Sequence, residues 1–208
     1  MMFLLPVGGV VDHRFGIMTT PGHKGIPAGI KAGMLWAADN EAFTRGFESV
    51  RFFSWLKTME PYRKTCIFVP VPDVVGDAAQ TLANFEKWRE NFGGWPVAFV
   101  GQDGQENSEL PTDYDCLFVG GSTEWKLSAD CESVIRQAQR DKKHIHIGRV
   151  NWWRRFNHFH KMEDSNGWTC DGTRQRFEGI EKTMAAWARY MAAPRQLGFY
   201  LFGGDHTG

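Results

Sequence analysis

Residues 66–94 read CIFVPVPDVVGDAAQTLANFEKWRENFGG, and they hold one complete strand-to-helix unit. Cys66–Val71 is continuously apolar rather than alternating, which suits a parallel strand covered on both faces. Beyond the polar turn at Asp73, Asp77 stands where a helix N-cap belongs, ahead of a helix predicted over Asp77–Phe92. Leu82, Phe85 and Trp88 fall on one face of that helix, and Gly93-Gly94 stops it.

The same unit recurs on both sides. Apolar runs at Phe3–Val7, Met34–Ala38, Pro96–Val100, Cys116–Val119, His144–Ile147, Gly167–Cys170 and Leu197–Phe202 bring the strand candidates to eight. Further helices are predicted over Glu41–Thr58, Ala129–Lys142, Asn151–Met162 and Phe177–Met191. The connection from Gly101 to Asp115 is too short and polar for a full helix. This alternation predicts an α/β fold, a compact TIM-like (β/α)8 barrel with some helices short or missing, as one domain over residues 1–208. A doubly wound open sheet is the alternative arrangement. Gly8 to Gly33 reads as a long connection rich in Gly, Pro and Thr, and such loops serve as lids or binding loops.

With 42% hydrophobic and 23% charged residues in a chain of 208, a sizeable core is expected. The formal net charge is zero, which excludes a strongly basic non-specific nucleic-acid binder and leaves room for a local basic patch. Nine Trp and sixteen Phe supply core and, equally, surfaces on which bases stack. Cys66, Cys116, Cys131 and Cys170 form no CxxC pair and no zinc-ligand spacing, so free buried thiols in a reducing, cytoplasmic setting are expected. The apolar start, MMFLLPVGGVV, lacks a basic region and is cut by Pro6 and a Gly pair, so it reads as a strand rather than a signal peptide. No run reaches transmembrane length, and nothing calls for a metal or cofactor.

Polar residues collect where the predicted strands end, the end that carries chemistry in such barrels. They are Asp39-Asn40 in WAADNEAF, Asp73 in FVPVPDVVGD, Gln102 in VAFVGQDG, Gly120-Gly121 in LFVGGSTEWK, Arg149 and Asn151 in HIHIGRVN, and Asp171 in WTCDGT. Each Asp has an ordinary alternative as a helix N-cap. Three carboxylates at one barrel end would instead raise each other's pKa, an arrangement kept mainly for chemistry. The Gly pair reads either as a tight turn or as a place where backbone approaches a flat ligand. His144 and His146 alternate along a strand, so one is expected inside the barrel and the other towards the helices. His158 and His160 lie on a helix, and Glu124 and Lys126 are either near the site or an ordinary surface pair.

Taken together, these strand-end motifs resemble those of the tRNA-guanine transglycosylase superfamily, most closely the deoxypurine-in-DNA proteins that place 7-deazaguanines in DNA. WAADNEAF is similar to that family's Asp-Asn-Gly-Ala-Phe element, with Glu41 in place of Gly. FVPVPDVVGDAAQTL resembles its base-recognition strand, and VGGSTEWK, IGRVNWWRR and DGT follow in the expected order, from about Gly33 to Thr173. The zinc-binding Cys/His insertion of the tRNA-directed enzymes has no counterpart here, which favours a reduced, DNA-directed relative.

The resemblance implies that Asp171 is a nucleophile at the sugar and Asp39 a general acid/base. Asp73 would accept hydrogen bonds from a guanine-like N1–H and amine. Gln102, Gly120 and Gly121 would bind the base's carbonyl edge, with Asn40, His146 and Arg149 also at the substrate. Arg149, Trp152, Arg154 and Arg155 would contact phosphates and stack, or else form a solvated helix face with tryptophans turned to the core. The implied partners are DNA, with its guanine flipped or single-stranded, and a free 7-deazaguanine base such as preQ0. The assembly can be a homodimer. The alternatives are an N-glycosidase that passes the same intermediate to water, a tRNA-directed exchanger, and a catalytically silent nucleic-acid-binding module.

Overall fold

In the computed structural model, which describes residues 1–6, 11–42, 46–172 and 179–192, eight parallel strands close into a barrel in chain order. They are β1 Met2–Pro6, β2 Gly16–Thr19, β3 Trp36–Ala38, β4 Cys66–Pro70, β5 Val97–Gly101, β6 Cys116–Val119, β7 His144–Ile147 and β8 Trp168–Asp171. Closure is made by β8 on β1, with Thr169 opposite Met2 and Asp171 opposite Leu4.

The helices are α1 Ala28–Lys31, α2 Ser49–Met59, α3 Ala78–Trp88, α4 Thr123–Lys126, α5 Ala129–Arg140, α6 Trp153–His160 and α7 Ile180–Ala192. Asp77 caps α3 by accepting from the Gln80 amide, and Gly93 ends its 3-10 extension in the left-handed region at φ 41°. The Gly101–Asp115 connection holds only the short 3-10 turn Gln105–Asn107. The fold is therefore the expected (β/α)8 barrel with some helices reduced to a turn.

Two expectations about the wall need correction. The Gly8–Gly33 stretch is no free lid, because it contributes β2, paired to both β1 and β3, and then α1. Leu197–Phe202 lies outside the described residues, and Trp168–Asp171 is the strand that closes the barrel. Asp171 therefore stands on the last strand, at the seam with the first.

Apolar side chains fill two layers. Leu4, Met18, Ala37, Phe68, Ala98 and Cys116 make one buried cluster, with Phe118 packed against it. The residues between them, such as Phe3, Ile17, Trp36, Val69, Phe99 and Ile145, join the larger cluster with Phe52, Phe85, Phe156 and Trp187 of the helices. The first cluster lines the barrel interior and the second fills the layer between strands and helices, as a period of two along each strand requires. That parity places Asp171, the last residue of β8 and two after Thr169, and Asp39, just past β3 and two after Ala37, both inwards at the mouth.

Candidate active site

Asp39, Asp73 and Asp171 line one cavity of about 250 Å³ at the C-terminal mouth of the barrel. Gln102, Gly120 and Arg149 share its wall, with Asn40 and Glu41 at the same side as Asp39. The floor is apolar, from Pro70, Val100 and Phe118. This is a small pocket against the ~300–1,000 Å³ of drug-sized sites, and it suits one planar heterocycle. None of the three carboxylates caps a helix among the described residues; that work falls to Asp77, Ser122 and Ser128.

Asp171 is held through one oxygen. Its Oδ1 accepts from the Arg149 backbone amide at 2.8 Å and lies 3.3 Å from His146 Nε2. Arg149 reaches that position in the left-handed region, at φ 58°, which turns its N–H towards the carboxylate. Burial alone would raise Asp171, but the His146 hydrogen bond, the Arg149 amide and the charge of Lys126 outweigh it and hold the group below its ordinary range. Its side chain keeps 21% of its surface open, facing the cavity.

Both barrel histidines point inwards, contrary to the expectation that they divide between the two faces. His144 Nε2 and His146 Nδ1 each lie 2.9 Å from the same Thr169 hydroxyl. Residues two apart on a strand share a face, so the pair could not have divided. Burial lowers His146 despite the neighbouring carboxylate and so favours the neutral ring. A neutral imidazole that donates through Nε2 to Asp171 must accept at Nδ1, and so takes the Thr169 proton. Thr169 then accepts from His144 Nε2. The chain His144–Thr169–His146–Asp171 thus has one consistent direction of donation.

Asp73 is buttressed differently. Asn40 Nδ2 donates to its Oδ1 at 3.2 Å and Gln102 Nε2 to its Oδ2 at 2.8 Å. Gln102, 2% exposed, is itself fixed because its Oε1 accepts from the Gly76 amide at 3.2 Å. Asn40 spends its Oδ1 on the Ala42 amide. Desolvation raises Asp73 above its ordinary value, against these hydrogen bonds and the charge of Arg149. Asp39 is also raised, first by desolvation and then by the charges of Asp171, Glu41 and Asp73, although the Glu41 amide at 2.8 Å opposes it. The site therefore sets one carboxylate low and two high.

Glu41 occupies the left-handed region at φ 58°, anchored by Arg51 at 2.7 Å and Thr20 at 3.0 Å. The Gly pair has a packing reason. A Cβ on Gly120 would meet Val100 Cγ1 at 2.8 Å and Gln102 Nε2 at 2.9 Å, and one on Gly121 would meet the Trp125 ring at 2.4 Å. Gly120 lines the carboxylate cavity and Gly121 the one beside it.

The basic cluster divides. Arg149 and Arg155 converge on a second cavity of about 230 Å³ between the ends of β6 and β7. Trp152, 54% exposed, and Arg154 lie at the surface, whereas Trp153 packs on Phe156 and Tyr190. Lys126 belongs to the same cavity; it is 2% exposed and donates to the Gly148 carbonyl at 2.8 Å. Burial, with the charges of Arg149 and Arg155, lowers it to about 8. It is no surface partner of Glu124, which is exposed.

Among the described residues no group of His, Cys, Asp and Glu could hold a metal ion, and no helix is long and apolar enough to cross a membrane. The four thiols are unpaired, with Cys66, Cys116 and Cys170 in strands and Cys131 in α5. No protein-family model matches the chain, and neither the curated proteins nor the solved structures contain a match.

Proposed function

We propose that this protein exchanges a guanine in DNA for a 7-deazaguanine base through a covalent Asp171–sugar intermediate. The observation that carries the reading is the convergence of Asp39, Asp73 and Asp171 on one heterocycle-sized cavity, with opposite pKa directions for Asp171 and Asp39. Environments that push neighbouring carboxylates apart mark the division between nucleophile and acid. Glu41 supports the same reading, since its left-handed backbone is the conformation a glycine supplies at that place in the resembling motif.

Asp171, ionised, attacks C1′ of the target nucleotide, and the C1′–N9 bond breaks with its electron pair passing to the base. Asp39, protonated, delivers the proton that the leaving guanine needs. The incoming deazapurine then gives its N9 proton to Asp39 while N9 displaces Asp171 from C1′. Asp73 accepts from the N1–H and exocyclic amine of either base, with Asn40 and Gln102 as positioning residues that fix its carboxylate. The reacting nucleotide must leave the stack to reach the cavity. The unpaired thiols fit a reducing cytoplasm.

Incubating DNA with labelled guanine or preQ0 tests the proposal. Incorporation that Asp171→Asn abolishes, with the fold intact, supports it. Base release without incorporation identifies a glycosidase, binding with neither identifies a silent binding module, and a fully active Asp171→Asn refutes the mechanism.

A further inference from the structure

The second cavity is unlike the first, because cations dominate its wall. Lys126 enters from α4, Arg155 from α6, and Arg149 stands between the two cavities and lines both. An ammonium carries three donors, and Lys126 uses one on the Gly148 carbonyl. Arg155 donates Nη1 to the Arg149 carbonyl at 3.1 Å and Nη2 to Thr123 Oγ1 at 2.9 Å. Among the described residues, the hydrogen bonds of Lys126 and Arg155 end on neutral oxygens. Asp103, on the neighbouring loop, is taken up by the Ser122 amide at 2.7 Å and hydroxyl at 2.5 Å.

Asp171 and Asp103 act on Lys126 by charge, but neither hydrogen-bonds it. An anion inside the cavity would meet the ammonium and the guanidinium groups directly and offset the cost of burying them side by side. A planar Arg fork, an ammonium and nearby hydroxyls together match a tetrahedral oxyanion, whose several acceptor oxygens use all of them. Arg149 lines both cavities, so an anion held in this one lies next to whatever fills the first.

We propose that the second cavity binds a single phosphate group, the one attached to the nucleotide whose base occupies the Asp39–Asp73–Asp171 cavity. The substrate class is therefore a phosphate-bearing nucleotide, within a chain or alone, and not a free nucleoside. The identity of the attached base rests on the function proposed above; the phosphate site itself does not.

Titration calorimetry of the full chain at fixed ionic strength separates these parts, with inorganic phosphate, deoxyguanosine and deoxyguanosine 5′- and 3′-monophosphates as probes. The better monophosphate is expected to bind at least about tenfold tighter than deoxyguanosine, as a charge-assisted contact predicts. Lys126→Met should reduce that ratio to within about twofold, and inorganic phosphate binding should weaken with it. Arg155→Gln is the second variant, and it carries the test if Lys126→Met fails to fold by circular dichroism. Equal binding of nucleoside and nucleotides to the native protein overturns the inference, as does a ratio preserved in the folded variants. Base exchange is scored separately. Exchange without any phosphate preference sinks this inference and leaves the function standing. Lys126-dependent phosphate binding in a protein that exchanges no base does the reverse.

Discussion

His146 Nε2 lies 3.3 Å from Asp171 Oδ1, on the same oxygen that takes the Arg149 amide at 2.8 Å. Two donors on one oxygen leave the other oxygen of the carboxylate open to the sugar of the proposed exchange. In the proposed mechanism His146 is a positioning residue, fixed by Thr169 and set at a tilt against Phe68 and Phe118, 4.8 and 4.5 Å away. His146→Phe keeps that packing and removes the donor. A lost hydrogen bond to a charged group costs about 1.5–3 kcal/mol, or roughly 10- to 150-fold in rate. Exchange should fall by that factor, and the acid limb of the kcat profile should move to higher pH as Asp171 loses its support. His146→Gln, which can still donate, should recover part of both. An unmoved acid limb in a slower His146→Phe variant would show a role in packing alone.

Asp39 and Asp171 should titrate in opposite directions from the ordinary 3.8, Asp39 above it and Asp171 below. Carboxyl 13C NMR reads this order directly. The sign for stability follows from Asp39. Between pH 3.8 and its raised folded value the native chain holds a proton that the unfolded chain has lost, so stability falls as pH rises through that window. Asp39→Asn cannot ionise and keeps an acceptor for the Glu41 amide. It should raise Tm at pH 7, with the gain vanishing below about pH 3.8, while exchange is lost. A lower Tm at pH 7 would contradict the strained-carboxylate account.

Gly120→Ala places a methyl 2.8 Å from Val100 Cγ1 and 2.9 Å from Gln102 Nε2. Overpacking of this kind costs about 1–3 kcal/mol. Any shift of Gln102 away from the methyl lengthens its 2.8 Å bond to Asp73. Urea unfolding should therefore show the stability loss, and KM for the incoming base should rise with it. Unchanged stability would mean that the backbone at Gly120 yields more easily than this packing allows.

Arg149→Gly separates two roles of one residue. Glycine adopts the φ of 58° freely and retains the amide that Asp171 accepts from. The guanidinium is lost. DNA affinity should drop, and the slope of log K against log salt should become shallower by about one phosphate contact. Filter binding across salt concentrations measures it, and an unaltered slope would remove Arg149 from the nucleic-acid contacts.

Much of the barrel was legible because buried parallel strands are continuous apolar runs, as Cys66–Val71 and Cys116–Val119 show. β2 escaped because four residues, GIMT, sit in a stretch whose Gly, Pro and Thr content otherwise signals loop. The carboxylates were visible as polar residues ending apolar runs, since strand parity carries them to the mouth. Lys126 is half legible: the sequence leaves it near the site or paired on the surface with Glu124, and the short α4 settles it by burying the lysine while Glu124 stays exposed. The lysine's place five residues after the Gly pair at a strand end is the signal that points to the site. His144 and His146 stand two apart on one strand, so strand parity alone places both on the same face.

The hydrogen-bonded file from His144 to Asp171 runs from the first residue of β7 to the last of β8. His144 begins β7, at the opposite end from the carboxylates, and is only partly buried. A nucleic acid seated over the mouth would stopper the cavity from above. The carboxylate proposed as nucleophile would still be joined, through Thr169 and His146, to a half-buried histidine at the far end of the barrel.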